Sequence, residues 1–468
     1  MSSENKQSYV ICPLCHQPTP EGNTFCQYCW TELAAGEKVG SEAAKEFTQK
    51  KEAETKRKKT TKRVLYIGVP AILVLVIAFL FVFYNTEVFD KPSPTLNSNS
   101  AANQWSMFRH DMLRSGSADL NAPALQGNIQ WTFSTGGAIQ SSPAVAGSTV
   151  YFGSRDGKIY AVNTATGAEQ WEYQTGSWVD SSPAVVNNIV YVGSNDGNLY
   201  ALDAGTGRKL WVFQTSDPII SSPAVAGGVV YFGSDDDRIY ALNAMTGKKL
   251  WVSKTGGQVT SSPLVANGVV YVGSSDGYLY SFNTTDGRLR IRFPRSEIIS
   301  SPAVDGKNVY FTCSDGFLFA IDGGAHSWPA EYFILNIWTQ AAVWGFAPYP
   351  PSITGVTVQQ QIGTMNVSSP AIANNTLYVG VDFYMAATNL QGKTLWMFKA
   401  GDEIASSPAI SGNAVYVGSY DGKIYAVDAT TGKQLWNVST GDKIGSSPAL
   451  ADGLLYIGSY DGKLYAIK

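Results

Sequence analysis

The stretch SSPAVAGGVVYFGSDDDRIYALNAMTGKKLW, residues 221–251, decides the fold. Ala224–Val225, Val229–Phe232, Ile239–Leu242 and the run opened by Leu250 are short apolar segments parted by Gly, Asp and Asn. That is the pattern of four short strands joined by tight turns. Asp236–Asp237 stands where a sister copy has Asp196–Gly197, a pair suited to a two-residue hairpin turn. Four strands in about forty residues cannot bury a hydrophobic face alone and must stack on copies of themselves.

The copies are marked by a Ser-Ser-Pro triplet at Ser141, Ser181, Ser221, Ser261, Ser300, Ser368, Ser406 and Ser446. Successive spacings are 40, 40, 40, 39, 68, 38 and 40 residues, which makes eight units with one interruption. The apolar alternation within each unit has period two, so the repeats predict a β-propeller and not a helical solenoid. The last unit ends after its third strand, LYAIK. Its fourth has a candidate in IQWTFSTG, Ile129–Gly136, ahead of the first triplet. A strand from each end of the chain would then close the ring and leave no open edge. The predicted fold class is all-β, an eight-bladed propeller over residues 105–468.

The run Ala-x-Asp/Asn-x-x-Thr-Gly-x-x-x-Trp occurs at Ala161–Trp171, Ala201–Trp211, Ala241–Trp251 and Ala426–Trp436. It resembles the tryptophan-docking repeat of the pyrroloquinoline quinone (PQQ)-like propellers, a resemblance that covers roughly Trp105 to Lys468. In physical terms the Thr-Gly pair supplies a turn and the Trp wedges against a neighbouring blade. Two copies decay: Ser281–Arg290 lacks the Trp, and Ala386–Trp396 carries Thr388 and Gln391 in place of Asp and Thr. The segment WSMFRHDMLRSG, Trp105–Gly116, resembles the entry segment of those propellers. Its Arg109, His110 and Asp111 are assigned to packing and surface hydrogen bonds, since no nucleophile motif accompanies them.

Ahead of the propeller the composition changes. Residues 1–63 hold 11 Lys/Arg against 8 Asp/Glu, and the rest of the chain 23 against 29, a balance poorly suited to nucleic acid. Cys12, Cys15, Cys26 and Cys29 form two Cys-x-x-Cys pairs that suit a tetrahedral, structural Zn²⁺, and residues 1–35 resemble a short zinc ribbon. Cys12-Pro-Leu-Cys15-His16 also matches the attachment motif of c-type haem, but that reading leaves Cys26 and Cys29 without a role. Residues 36–63 are charged and fit a helix or a flexible tether; they are assigned to a solvated linker. Val64–Phe83 carries 20 residues without a charge, which predicts one transmembrane helix over 64–84. Lys56, Arg57, Lys58, Lys59, Lys62 and Arg63 precede it, so the N-terminus is expected in the cytoplasm and the propeller outside. A Pro/Ser/Asn linker follows over 85–104.

Cys313, inside YFTCSDG, is expected to be a buried free thiol. The Asp of each Asp-Gly turn, such as Asp156, Asp196 and Asp461, is explained by turn chemistry without a calcium ring. The candidate ligand or partner surface has two parts. Residues just before each innermost strand should ring the channel mouth: Trp178, Asp180, Pro218, Gln258, Glu297, Met365, Glu403 and Lys443. An aromatic insertion over 323–354, with Trp328, Trp338 and Trp344, offers rigid contact area or packs on its own blade.

These features predict a membrane-anchored, extracytoplasmic propeller that binds an unknown protein or envelope ligand and is not an enzyme. The architecture is similar to the propeller lipoproteins of the outer-membrane β-barrel assembly machine. The alternatives are a transmembrane sensor and a PQQ-dependent dehydrogenase. PQQ is the less favoured cofactor, because those enzymes usually place an adjacent-cysteine disulfide under it and no two of the five cysteines are adjacent.

Overall fold

The N-terminal residues build a small sheet and one helix. β1 (Ser8–Ile11) pairs with β2 (Pro18–Pro20) and β3 (Glu37–Gly40) in the order β2-β1-β3, and α1 (Ser41–Arg63) follows. This computed structural model describes residues 8–34, 36–63, 105–111, 113–118, 121–296, 300–325, 331–348, 355–365 and 368–468. The chain divides into two compact units, Met1–Thr86 and Glu87–Lys468. The solvated linker expected over 36–63 is corrected to β3 and α1. Glu46, Glu52 and Glu54 each stand four residues before Lys50, Lys56 and Lys58, a spacing that supports a helix without a hydrophobic stripe.

The expected membrane span over 64–84 lies outside the described residues, as do the linker at 85–104 and the residues Glu297 and Trp328. Among the described residues no helix is long and apolar enough to cross a membrane. The expected localisation, a single-pass protein with its propeller outside, is therefore corrected: no described helix supplies the membrane span that it needs.

From residue 129 onward the chain forms eight four-stranded antiparallel sheets. In the first, β5 (Ala144–Ala146), β6 (Thr149–Gly153), β7 (Lys158–Asn163) and β8 (Glu169–Gln174) follow one another. The middle strands are buried on both faces, while the outermost strand alternates with solvent. β4 (Ile129–Ser134) lies alongside Lys463–Ile467 and completes the eighth sheet, the place the sequence offered it. The first strands touch in sequence order around a closed cycle, with Ala449–Ala451 of the eighth sheet against β5 of the first.

Two devices hold neighbouring sheets together, and both explain repeated residues. The indole N–H of Trp131 donates to Thr164 O (2.9 Å), that of Trp171 to Ala204 O (2.8 Å), and that of Trp396 to Ala429 O (3.0 Å). Each ring lies on the Gly of the next Thr-Gly turn. A Cβ on Gly207 would stand 2.7 Å from Trp171, and the positive φ there (70°) favours glycine besides. Ile291 and Val358 hold the Trp place in the fourth sheet and in the fifth, which carries the insertion.

The second device is a cycle of serines. The Ser142 N–H donates to Ser182 Oγ (2.9 Å), Ser182 N–H to Ser222 Oγ (3.0 Å), and Ser222 N–H to Ser262 Oγ (3.0 Å). The chain of bonds runs on through Ser301, Ser369, Ser407 and Ser447, whose N–H returns to Ser142 Oγ (2.9 Å). Edge N–H groups of the innermost strands thus find partners across the gap between sheets.

The entry segment crosses these inner strands. Trp105 pairs with Val145, Ser106 O accepts from Val185 N–H, and Ser115 O accepts from Ile372 N–H. Arg109 and Arg114 are 1% and 0% exposed, so the surface role expected for Arg109 is corrected to a buried one. Cys313 is a buried free thiol. In the insertion, α2 (Glu331–Val343) stands between the third and fourth strands of the fifth sheet.

Candidate functional site

Two places gather chemistry. In the N-terminal unit, Cys12 and Cys15 frame one turn and Cys26 and Cys29 a second of the same form. His16 N–H donates to Cys12 O and Trp30 N–H to Cys26 O, both at 2.9 Å, and both residues take a left-handed φ (53° and 58°). His16 is therefore a turn residue equivalent to Trp30. The sulfurs stand 3.5 Å apart for Cys12–Cys29 and 3.4 Å for Cys15–Cys26, with all four within 4.8 Å. A tetrahedral ion with metal–sulfur bonds of about 2.3 Å separates its ligands by about 3.8 Å, so this group is arranged to hold a metal ion. Burial opposes the Cys26 thiolate, but the N–H groups of Tyr28 and Cys29 and the Thr19 hydroxyl outweigh it and bring the thiol down to about 6. Burial pushes the Cys15 thiol up to about 12. Among the described residues no other group of three or more His, Cys, Asp or Glu side chains converges in this way.

The second place is the channel mouth. Each Gly-Ser-x-Asp-Gly turn is clamped to the loop of the preceding sheet by its Asp. Asp156 Oδ1 accepts from Lys158 N–H (3.0 Å), while Oδ2 accepts from Gly136 N–H (2.8 Å) and the Tyr160 hydroxyl (2.7 Å). Asp196 and Asp461 repeat the pattern. These carboxylates are used within the fold. The variable residue of the turn instead receives the backbone of the loop that the sequence picked out. Asn195 N–H donates to Trp178 O, Asp235 to Pro218 O, Ser275 to Gln258 O, Tyr420 to Glu403 O and Tyr460 to Lys443 O.

Arg155 is the centre of this mouth. Its Nε donates to Asp180 Oδ1 (2.8 Å) and its Nη2 to Oδ2 (3.3 Å). The guanidinium lies 5.0 Å from the Trp178 ring and 5.3 Å from that of Tyr460, contacts of cation–π range. Its bonds to Asp180 hold its pKa above the ordinary arginine value. The Tyr460 hydroxyl donates to Gln140, and the Lys443 ammonium lies 5.3 Å over Tyr420. Trp178 is 51% exposed, so one face of this layered group meets solvent. Asp235 carries an acidic counterpart: burial first, then the Asp217, Asp236 and Asp237 charges, push its carboxyl up to about 6.

The structure thus brings Trp178 and Asp180 together and sets Lys443 and Glu403 behind Tyr460 and Tyr420. Met365 is exposed and its N–H donates to Asp382 Oδ1 (3.0 Å). Trp338 and Trp344 are exposed on α2 and the turn after it, with the Trp338 indole N–H on Pro348 O (2.7 Å). Sequence reasoning missed Arg155, Tyr420, Tyr460 and Asp235. The signal lay in the x of Gly-Ser-x-Asp, which is Arg155, Asn195, Asp235, Ser275, Tyr420 and Tyr460 in the six copies that keep the motif.

Comparison with known proteins places this fold. No curated protein matches the chain. Among solved structures, a quinohemoprotein alcohol dehydrogenase from Comamonas testosteroni is 16% identical, with a TM-score of 0.65 over 79% of this chain and 81% of its own. A europium-containing methanol dehydrogenase is 17% identical, with a TM-score of 0.63 over 78% and 91%. The computationally designed Ika8 protein is 19% identical, with a TM-score of 0.60 over 74% and 99%. Identities this low show the fold alone. They correct the expectation that this chain is not an enzyme, because two of these proteins are enzymes built on the same ring of sheets. The family model described as outer membrane protein assembly factor BamB matches residues 117–222, 217–332 and 338–468, and the chain belongs to that family of PQQ-repeat propellers.

Proposed function

We propose that the eight sheets are the blades of one eight-bladed propeller and that its channel mouth is a recognition surface for a protein partner. The observation that supports this is the layered Trp178–Arg155–Tyr460 group, locked by Asp180 and open on its Trp178 side. Trp, Tyr and Arg are the residue types that carry most binding energy at protein interfaces, and a pre-set guanidinium loses little entropy on binding. The four N-terminal thiols hold a structural Zn²⁺, since four protein ligands leave no open position. Trp178→Ala should lose a partner that co-purifies with the full chain while its Tm stays within about 2 °C, because that ring is half exposed; Arg155→Glu should lose it too, with a larger drop in Tm because Asp180 is left unpaired. Retention of the partner by both variants contradicts the proposal.

A second reading, a quinone-dependent oxidoreductase, draws on the dehydrogenase neighbours and on Trp178 beside a cation. A tricarboxylic quinone has an aromatic face and a positive charge to meet there. Its metal does not: among the described residues no set of three carboxylate or imidazole donors converges at the mouth. The donor set fits the quinone in part and its metal not at all, and no reaction step is derived through it. Addition of PQQ and Ca²⁺ to the full chain tests this reading. Stoichiometric quinone absorbance, with alcohol-dependent dye reduction, would support it over recognition.

A further inference from the structure

The insertion helix α2 turns an apolar face outward. Leu335 and Ala342, seven residues apart, are buried and mark the side packed on the rest of the protein. Ile334, Ile337, Trp338, Ala341 and Trp344 follow at helical spacings and form a stripe along a second side. Ile337 is 53% exposed, Trp344 68% and Phe346, just past the helix, 82%.

The aromatic end of the stripe is held in place. Gly345 takes a left-handed φ (76°), its N–H donates to Ala342 O (3.0 Å), and the Phe346 N–H donates to Ala341 O (2.8 Å). That is the glycine cap that stops a helix and fixes the residue after it. The Trp338 indole N–H is tied to Pro348 O. Side chains set in this way lose little freedom when something docks on them. A groove of about 520 Å³ opens on the same face, lined by Asn336, Ile337, Gln340, Ala341, Trp344 and Phe346.

The chemistry of the groove selects its occupant. Residues 334–348 contain no ionisable side chain, so the face offers nothing to a charged partner and sets no like charges against a copy of itself. Its polar groups are the exposed carboxamides of Asn336 and Gln340. A carboxamide both donates and accepts, and so pairs with its own kind. Hydrocarbon would strip these amides of water and give them no partner. The stripe is also graded, aliphatic at Ile334 and Ile337, small at Ala341, aromatic at Trp344 and Phe346. An antiparallel copy, turned about a two-fold axis near Gln340, lays each aromatic end on the other's isoleucines. Ala341 then lets the helix axes approach to about 8–10 Å.

We propose that α2 forms a two-fold antiparallel pair with α2 of a second copy of this chain, with Gln340 beside the axis. The stripe covers roughly 500 Å² of apolar surface on each copy, below the about 800 Å² a side of a standard interface. The pair is therefore reversible, forming at concentrations on the order of 10 µM.

Sedimentation equilibrium of the full chain over about 1–200 µM should show monomer–dimer exchange. Gln340→Glu sets two like charges across the axis and should weaken the dimer about ten-fold, and Gln340→Lys as much. Mixed in equal amounts, the two variants should recover it, which only a contact of Gln340 with its own counterpart produces. Gln340 is exposed, so both variants keep the fold, and an unchanged Tm verifies this. A photoreactive residue in place of Ile337 should give an adduct of twice the chain mass, its cross-linked peptide within residues 331–348. A monomer throughout, a dimer that neither Gln340 variant weakens, or an adduct at 337 to lipid or to another protein would overturn the proposal.

Discussion

The N-terminal unit and the ring of sheets both hold very short strands, and they do so by opposite means. The N-terminal core consists of Val10, Leu33, Cys12 and Cys26, so half of it is thiol, and strands of three or four residues surround it. So little apolar surface cannot repay the entropy of ordering the chain, and on the reading proposed above a bound metal ion supplies the difference. The ring needs no ion for this purpose. Its strands run to only three to six residues, but every sheet is fastened to the next by a serine bond, most by an indole as well, and the last sheet takes a strand from each end of the ring segment. A cross-link at one point and closure around a cycle are thus two answers to one shortage of core.

The largest effect that tests this contrast is metal removal. A strong chelator, or Cys26→Ser, should unfold the N-terminal unit completely, since zinc sites of this kind contribute about 10–16 kcal/mol. The ring's unfolding transition should not move. Hydrogen exchange followed separately over residues 8–63 and 129–468 checks both halves, and persistent protection of Val10 and Leu33 without metal would break the comparison.

Next come the indoles. Trp171→Ala should cost about 3–5 kcal/mol, the usual penalty for deleting a large packed ring. Trp131→Ala should cost as much, because its strand closes the cycle and its N–H holds Thr164 as Trp171 holds Ala204. Urea midpoints compare the two. A much smaller loss for Trp131 would mean that closure adds little.

A smaller, pH-dependent effect belongs to Asp235. Its carboxyl titrates near 6 in the fold against 3.8 without it, so the folded state holds this proton more tightly. The favourable contribution is whole below pH 3.8 and is lost as pH rises through 6. Asp235→Asn should abolish that loss and be more stable at pH 8 by on the order of 1 kcal/mol, allowing for solvent screening at a half-exposed site. Thermal melts from pH 4 to 8 show it, and parallel curves for the two proteins would contradict it. Least of all, Trp344→Ala should shift stability by no more than about 0.5 kcal/mol, since that ring is 68% exposed.

Much of this contrast was legible in the sequence. The Ser-Ser-Pro triplet recurs in all eight copies, the Thr-Gly-x-x-x-Trp run in four, and the strand at Ile129 matches the one missing from the last copy; pattern reading detects such repetition. The two decayed copies, Ser281–Arg290 without its Trp and Ala386–Trp396 with an altered turn, lie on either side of the insertion in the sequence. The mouth was only half legible. Trp178 and Asp180 follow from their place before an inner strand, but Arg155 and Tyr460 are 305 residues apart and meet only because the ring closes. Arg109 and Arg114 were hidden for a related reason. In sequence they are two charges in a polar segment, and their burial comes from crossing the inner strands of several sheets, which no local pattern encodes. The charged stretch at 41–63 was legible only as helix or tether, because polarity signals solvent contact but does not distinguish a solvated helix from a solvated coil.

The most direct test of recognition at the channel mouth is position-resolved photocrosslinking in cells, with a photoreactive residue in place of Trp178 and, as control, of Met245, which is 63% exposed on a Thr-Gly turn. We predict one discrete adduct from position 178, none from 245, and loss of the adduct when Arg155→Glu is added. Equal labelling from both positions, or an adduct indifferent to Arg155→Glu, would contradict the account.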